Sequence, residues 1–354
     1  MRAVKNLFHL SLRANNFEKT VDFYCNTLGF ERMFTLTIGD MKKMLSSDSR
    51  ENNSLDERPW LTYLRVAPEQ YLEIVNGVVS QSGYSLSPVE KSQNDTFAHF
   101  ALECEDIEWT AAELSKKGIH FYRNPSDPAT ILEPFSYGVG VDKWKIAWIV
   151  DPEGNPIEVM EPIEGCWQKQ FDAENPIPGN EYRSTKKLFR ALLHTSFNVN
   201  DFDKSADFYQ KLGFEPIFQL DCGTRNKMFG LEPLPPEEEK KVWLAYFRIG
   251  KGQYLELFPA ENPVEVHANG PLAHFSIQVN NLAEAVKYWE EKGVHACLTP
   301  SQPEKYVTAE NPKGMNGVDN NEIVWLIDPD GNPIEVMEQR NSFQQQFEQE
   351  HPFC

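Results

Sequence analysis

Eight residues pose the chemical question. Histidines His9, His99, His194 and His274 are each followed by a glutamate, Glu73, Glu158, Glu256 and Glu335, after 64, 59, 62 and 61 residues. The chain has eight His in all, so half of them fall on this one spacing. In FHLSL (8–12), period-two alternation puts Phe8, Leu10 and Leu12 on one face of a strand and His9 on the other. In YLEIV (71–75), Leu72 and Ile74 oppose Tyr71 and Glu73, and in PIEVM (156–160) Ile157 and Val159 oppose Glu158. A carboxylate in mid-strand among apolar neighbours is costly unless it is paired or metal-bound. Imidazole and carboxylate are ligands for a divalent ion, and four matched His/Glu pairs suggest two His2Glu2 centres. A lone strand His is commonly a hydrogen-bonded core residue, and a lone strand Glu an edge residue. What raises this set above that reading is its persistence across a repeat in which little else survives.

The elements that must hold these residues are written four times. DPEGNPIEVME (151–161) returns as DPDGNPIEVME (328–338), FEKTVDFYCNTLGF (17–30) as FDKSADFYQKLGF (202–214), and WLTYLRVAPEQYLEIV (60–75) as WLAYFRIGKGQYLELF (243–258). Even WQKQFDAENP (167–176) has its counterpart in FQQQFEQEHP (343–352). A fainter repeat lies inside each half: a short alternating segment carries a His, an Asn or Asp opens a helix, and a Gly closes it. The predicted caps are Asn16, Asp106, Asp201 and Asn281, and the closing residues Gly29, Gly118, Gly213 and Gly293. DPEGN and DPDGN read as tight turns feeding the last, Glu-bearing strand of a module.

The unit is therefore β-α-β-β-β, and the fold class α+β. Along the chain this gives a first domain over 1–165, with modules at 7–76 and 97–162, and a helix and linker over 166–188. A second domain follows over 189–340, with modules at 190–259 and 272–338, and then a tail helix over 341–354. The segments 39–59 and 232–241 read as polar loops that could cover a cavity.

Composition bounds the partners. The chain has 354 residues and a net charge of −19, from 34 basic and 53 acidic side chains, which repels phosphate backbones and anionic membranes. Nucleic acid and membrane are not expected as partners; a small-molecule substrate is, for a monomer or a homodimer. The N-terminus lacks the apolar core of a signal peptide. Six scattered Cys with no CxxC pair point to reduced thiols and a cytoplasmic setting.

The four modules, the FYxxxLGF-type helix and the D-P-x-G-N-x-I-E endings resemble the vicinal oxygen chelate superfamily, over nearly the whole chain. This is the group of glyoxalase I, extradiol dioxygenases, bleomycin-resistance proteins and certain epimerases. The resemblance implies that modules pair into cupped mixed sheets, each holding one divalent ion (Zn, Fe, Mn, Co or Ni). It also implies that His9, Glu73, His99, Glu158, His194, Glu256, His274 and Glu335 are the ligands. Whether module one pairs with two or with four is left open. Similarity to glyoxalase I gives the base role to Glu158 or Glu335. The favoured activity is that of an isomerase or epimerase working through a metal-bound enediolate on a keto-sugar or keto-cyclitol, as in the valiolone epimerases. The alternatives are a glyoxalase I-like lyase on a glutathione hemithioacetal, an Fe(II) extradiol dioxygenase, and a non-catalytic ligand-sequestering protein. Arg13, Arg65 and Arg248 are available for a glutathione-binding rim, though they are equally ordinary salt-bridge residues. Tyr71 and Tyr254 share the Glu face and are candidate substrate contacts; Trp148 and Trp325 read as core or cavity wall, and His120 and His295 as structural second-strand residues.

Overall fold

The computed structural model describes residues 2–45, 56–77, 92, 94–179, 187–317 and 319–353. The chain forms two compact units, one made of Met1–Ser92 with His267–Cys354, the other of Gln93–Val266. They are cut differently from the tandem halves at 1–165 and 189–340, because module one folds with module four and module two with module three. The pairing edge explains this. In the first unit the opening strand Val4–Ala14 runs antiparallel to Leu272–Val279, the opening strand of module four. In the second unit Phe97–Glu103 of module two pairs in the same way with Ala191–Val199 of module three.

Each module wraps outward from that seam. Val4–Ala14 also lies parallel to its own module's last strand, Gln70–Asn76, which continues through Pro59–Ala67 to Glu31–Thr37. On the module-four side, Leu272–Val279 lies parallel to Pro333–Gln339, followed by Asn321–Ile327 and the short Ala296–Cys297. The second unit repeats the plan with Gln253–Pro259, Val242–Gly250 and Glu215–Asp221 on one side, and Pro156–Pro162 and Trp144–Val150 on the other. The second strand is reduced in modules two and four. His120 lies outside any strand, exposed beside Glu133, and His295 precedes Ala296–Cys297 and stacks on Tyr306.

The local signals read from the sequence hold. Asn16, Asp106, Asp201 and Asn281 each accept a hydrogen bond from the backbone N–H three residues on. Gly29, Gly118, Gly213 and Gly293 all take positive φ, which a Cβ would disfavour. In DPEGN, Asp151 Oδ1 accepts from the N–H groups of Glu153 (2.9 Å) and Asn155 (2.7 Å). Asp328 does the same in DPDGN at 3.0 and 2.7 Å. These turns fix the registers Trp148↔Glu158 and Trp325↔Glu335, so the eleven-residue repeat is a device for aiming a glutamate.

The first inserted segment departs from expectation. Ile38–Leu45 is a helix, and its Ile38 and Met41 are buried against Phe8, Trp60 and Tyr71; residues 46–55 lie outside the described residues. In the second segment Pro236–Glu239 forms one helical turn. Part of the linker, 180–186, is likewise outside them. Helices Trp167–Glu174 and Phe343–Glu350 follow modules two and four. Cys25, Cys104, Cys166, Cys222 and Cys297 are free thiols, and Cys354 lies outside the described residues. Among the described residues no helix is long and apolar enough to cross a membrane.

Candidate metal centres

The antiparallel seam brings two opening-strand histidines together in each unit. His9 Nε2 lies 2.9 Å from His274 Nε2, and His99 Nε2 lies 3.1 Å from His194 Nε2. The last strands, parallel to the opening ones, deliver the glutamates. Glu335 Oε2 is 3.4 Å from His9 and 3.5 Å from His274. In the other unit Glu158 Oε2 is 3.3 Å from His194 and 3.6 Å from His99, while Glu256 Oε2 is 3.2 Å from His99 and 3.6 Å from His194. Glu73 stands further back. Its Oε1 is 3.9 Å from His274 and accepts a 2.6 Å hydrogen bond from Ser11. All eight residues are buried, none above 7 % exposed.

This arrangement fits a divalent cation. Ligands at about 2.1 Å from an ion stand about 3.0 Å apart at the edge of an octahedron and about 3.4 Å apart in a tetrahedron. The observed separations of 2.9–3.6 Å among His9, His274 and Glu335, between His99 and His194, and from those two imidazoles to Glu158 and to Glu256, are close to those edges. His9, His274 and Glu335, and His99, His194 and Glu158, are the mutually close groups. Hydrogen bonding leaves two of these atoms unmet. Glu335 Oε2 and Glu256 Oε2 are buried without a hydrogen-bond partner, which is a cost unless a cation meets them.

The two sets hold their protons differently. Burial pushes His9 well below the ordinary imidazole range, helped by His274; burial also takes His274 down to about 4, with Glu73 opposing. Burial raises Glu335 well above the carboxylate range, with Asp319 adding to it. In the other unit burial opposes charge on His99, but Glu158 and Glu256 outweigh it and carry His99 up to about 9. Burial would raise Glu158, yet hydrogen bonds to His194 and His99 hold it at about 2. Metal binding in the second unit is therefore expected to displace a proton from His99, and the raised Glu335 carboxyl makes the first unit favour its protonated form as pH falls. Affinity is expected to fall as pH drops, by about tenfold per pH unit per displaced proton. Calorimetric titration with Zn2+ in buffers of different ionisation enthalpy would report that release as a buffer-dependent heat.

Aromatic rings wall each centre. Trp148 packs edge-on against His99 at 4.8 Å between ring centroids, and Trp325 against His274 at 5.0 Å, as a wall reading of both Trp requires. Tyr63 and Tyr246 were not singled out in the sequence. They pack against His9 (5.3 Å) and His194 (5.5 Å) and face Glu73 and Glu256 across the strand pair. The signal for them was available: each sits on the strand before a Glu strand, at the same place in the WLxYxR repeat.

The structure places three more sets of residues singled out in the sequence. Tyr71 and Tyr254 are fully buried, and their hydroxyls donate to Glu348 (3.1 Å) and Asp172 (2.7 Å) of the tail helices, so they anchor those helices. Arg65 and Arg248 are buried as well, paired with Glu31 and Glu348 and with Glu215 and Asp172. Arg13 donates to the carbonyls of Gly270 and Leu272.

Comparisons with known proteins give the family and the fold. The sequence model of the Glyoxalase/Bleomycin resistance protein/Dioxygenase superfamily matches residues 6–159 and 191–336. The chain belongs to that superfamily. Its fold is similar to the crystal structure of glyoxalase I from Zea mays, with a TM-score of 0.60 at 17 % identity, covering 98 % of this chain and 97 % of that one. It is also similar to a proposed dioxygenase from Bacillus subtilis, with a TM-score of 0.57 at 12 % identity, covering 98 % and 91 %. No curated protein sequence matches. The superfamily member described here thus carries two His/Glu donor sets on a tandem glyoxalase-like fold.

Proposed function

We propose that the chain is a divalent-metal-dependent epimerase or isomerase that moves a proton beside the carbonyl of a small hydroxy-ketone, such as a keto-sugar or keto-cyclitol. The carrying observation is the donor set. In the second unit Glu158 and Glu256 both lie 3.2–3.6 Å from the two imidazoles, and in the first Glu73 stands behind the His9–His274–Glu335 group at 3.9 Å from His274. Both Glu positions thus carry a carboxylate, where the extradiol pattern of two His and one carboxylate would leave one vacant. His99, His194, Glu158 and Glu256 would hold one ion, and His9, His274, Glu335 and Glu73 the other. Such an ion supplies Lewis acidity toward a carbonyl and its neighbouring hydroxyl.

The protein's own groups do the rest. Glu158 and Glu335, on matching strands, act as bases that take the C–H proton; the electron pair moves into the carbonyl as an enediolate. Return of the proton to the other face of that carbon gives an epimer, and return to the neighbouring carbon an isomer. Tyr246 and Trp148, or Tyr63 and Trp325, exclude water around the reacting atoms.

The arginines weigh against a glutathione-dependent lyase. Arg65 and Arg248 are committed to internal ion pairs and Arg13 to backbone carbonyls, so these three do not supply a cationic rim for a tripeptide. The test follows solvent deuterium into fructose, dihydroxyacetone and inosose. Exchange at carbon without oxygen consumption is the expected result. Oxygen uptake with catechols, or turnover restricted to glutathione hemithioacetals, would replace this reading.

A further inference from the structure

Two residues beyond each opening-strand histidine, on the same strand face, stand Ser11, Ala101, Ser196 and Ser276. The parallel pairing with the last strand sets each of them against its own module's glutamate: Ser11↔Glu73, Ala101↔Glu158, Ser196↔Glu256 and Ser276↔Glu335. Each seam also lays this position opposite a histidine. Ser11 meets His274 and Ser276 meets His9 in one unit, and Ala101 meets His194 and Ser196 meets His99 in the other. All four residues are fully buried.

Three of the four carry a hydroxyl, and the hydroxyls are used differently. Ser11 Oγ donates to Glu73 Oε1 at 2.6 Å, whereas Ser196 Oγ and Ser276 Oγ have no hydrogen-bond partner among the described residues. The glutamates differ in step with the serines. Glu73 Oε1, the oxygen that Ser11 bonds, lies 3.9 Å from His274 Nε2. Glu256 fills the matching place in the tandem repeat. Its Oε2 stands 3.2 Å from His99 and 3.6 Å from His194, and that oxygen is buried without a hydrogen-bond partner. The same pair of residue types therefore occurs in two arrangements. In one, a serine holds the carboxylate back; in the other, the serine is idle and the carboxylate is aimed at the imidazoles.

We propose that Ser11 is a positioning residue that competes with the bound ion for the Glu73 carboxylate, making Glu73 a detachable donor where Glu256 is a fixed one. The inference rests on the metal reading above. For Glu73 to stand as Glu256 does, its carboxylate must turn from the Ser11 hydroxyl toward the imidazoles and give up a short hydrogen bond of the strong kind that a carboxylate accepts. Ser196 imposes no such exchange on Glu256. Withdrawal onto Ser11 also frees a donor position at the first centre for a substrate oxygen, without leaving a bare carboxylate in the core. The two copies have kept the same donors and differ in how firmly one of them is committed.

The experiment measures the Zn2+ dissociation constants of both centres by competition with a chromophoric chelator, in the wild type and in Ser11→Ala, Ser196→Ala and Ser276→Ala. Ser11→Ala removes the competitor and is expected to tighten one of the two constants about tenfold, the size of a hydrogen bond to a charged group lost from the metal-free side. Ser196→Ala and Ser276→Ala delete hydroxyls that bond nothing, so both constants should stay within about threefold of wild type. A serine that only braces its strand would not oppose the ion. Unchanged or weakened binding in Ser11→Ala therefore overturns the assignment, as does equal tightening in Ser196→Ala or Ser276→Ala. If Ser11→Ala folds only with Zn2+ present, transfer of the ion to excess chelator decides: release slower than wild type supports the proposal, and release as fast or faster overturns it. A wild type that binds no Zn2+ removes the metal reading and the proposal with it, whereas two bound ions with no tightening in Ser11→Ala remove the proposal alone.

Discussion

Replacing Glu158 and Glu335 together by Gln is expected to abolish turnover while the fold persists. Each carboxylate sits within 3.3–3.6 Å of two imidazole nitrogens and is only 7 % exposed, so an amide of nearly equal volume fills the same space without a charge or a basic oxygen. Loss of a positioned general base alone costs on the order of 10²–10⁴ in rate, and loss of an anionic ligand weakens metal binding besides. The flanking Ile157, Val159, Ile334 and Val336 are fully buried on the other face of the strand and are untouched, so circular dichroism and the thermal midpoint should stay near wild type. Steady-state assays on the double variant check this. Retained activity would remove the base assignment, and a large loss of stability without loss of rate would make both carboxylates structural.

The second large effect concerns the buried arginines. Arg65 is 1 % exposed and pairs with Glu31 and Glu348, accepts the ring faces of Phe347 and Phe353, and donates to the carbonyl of His351. Arg248 repeats the pattern with Glu215, Asp172, Phe171 and the carbonyl of Asn175. Removing one member of a buried ion pair costs about 3–5 kcal/mol, because the partner is left desolvated and unpaired. Glu31 and Glu348 keep some access to water, with side chains 34 % and 19 % exposed, which places Arg65→Ala near the lower end, about 3 kcal/mol. For a body of this size that is a fall of about 10 °C in the thermal midpoint. Denaturation should also show the helix Phe343–Glu350 becoming protease-sensitive, since Arg65 and Tyr71 are both bound to it. A midpoint within 2 °C of wild type would mean that the tail is held by its apolar contacts alone.

Much of this was legible in the sequence, and the rest was hidden for identifiable reasons. The eight donors stood out because a fainter repeat preserved them when nearly everything around them had changed. Their facing direction followed from period-two alternation, and the caps and closing glycines from local backbone chemistry. The module pairing was not legible, since all four opening strands present the same kind of edge and intramodular pattern says nothing about which edge meets which. Parity alone did not show what Tyr71 and Tyr254 bind. They lie on the same face as the glutamates, but two residues along a strand is about 7 Å, far enough to reach a tail helix instead of the centre. Arg65 and Arg248 looked like surface residues because the acids that bury them, Glu348 and Asp172, are distant in sequence.

Metal stoichiometry in paired histidine variants tests the central claim most directly. Elemental analysis of dialysed protein should find two divalent ions per wild-type chain. His9→Ala/His274→Ala strips one centre and should leave one ion, whereas His9→Ala/His99→Ala damages both and should leave none. A metal-free wild type, or the reverse pattern in which His9→Ala/His99→Ala keeps one ion and His9→Ala/His274→Ala keeps none, would contradict the account.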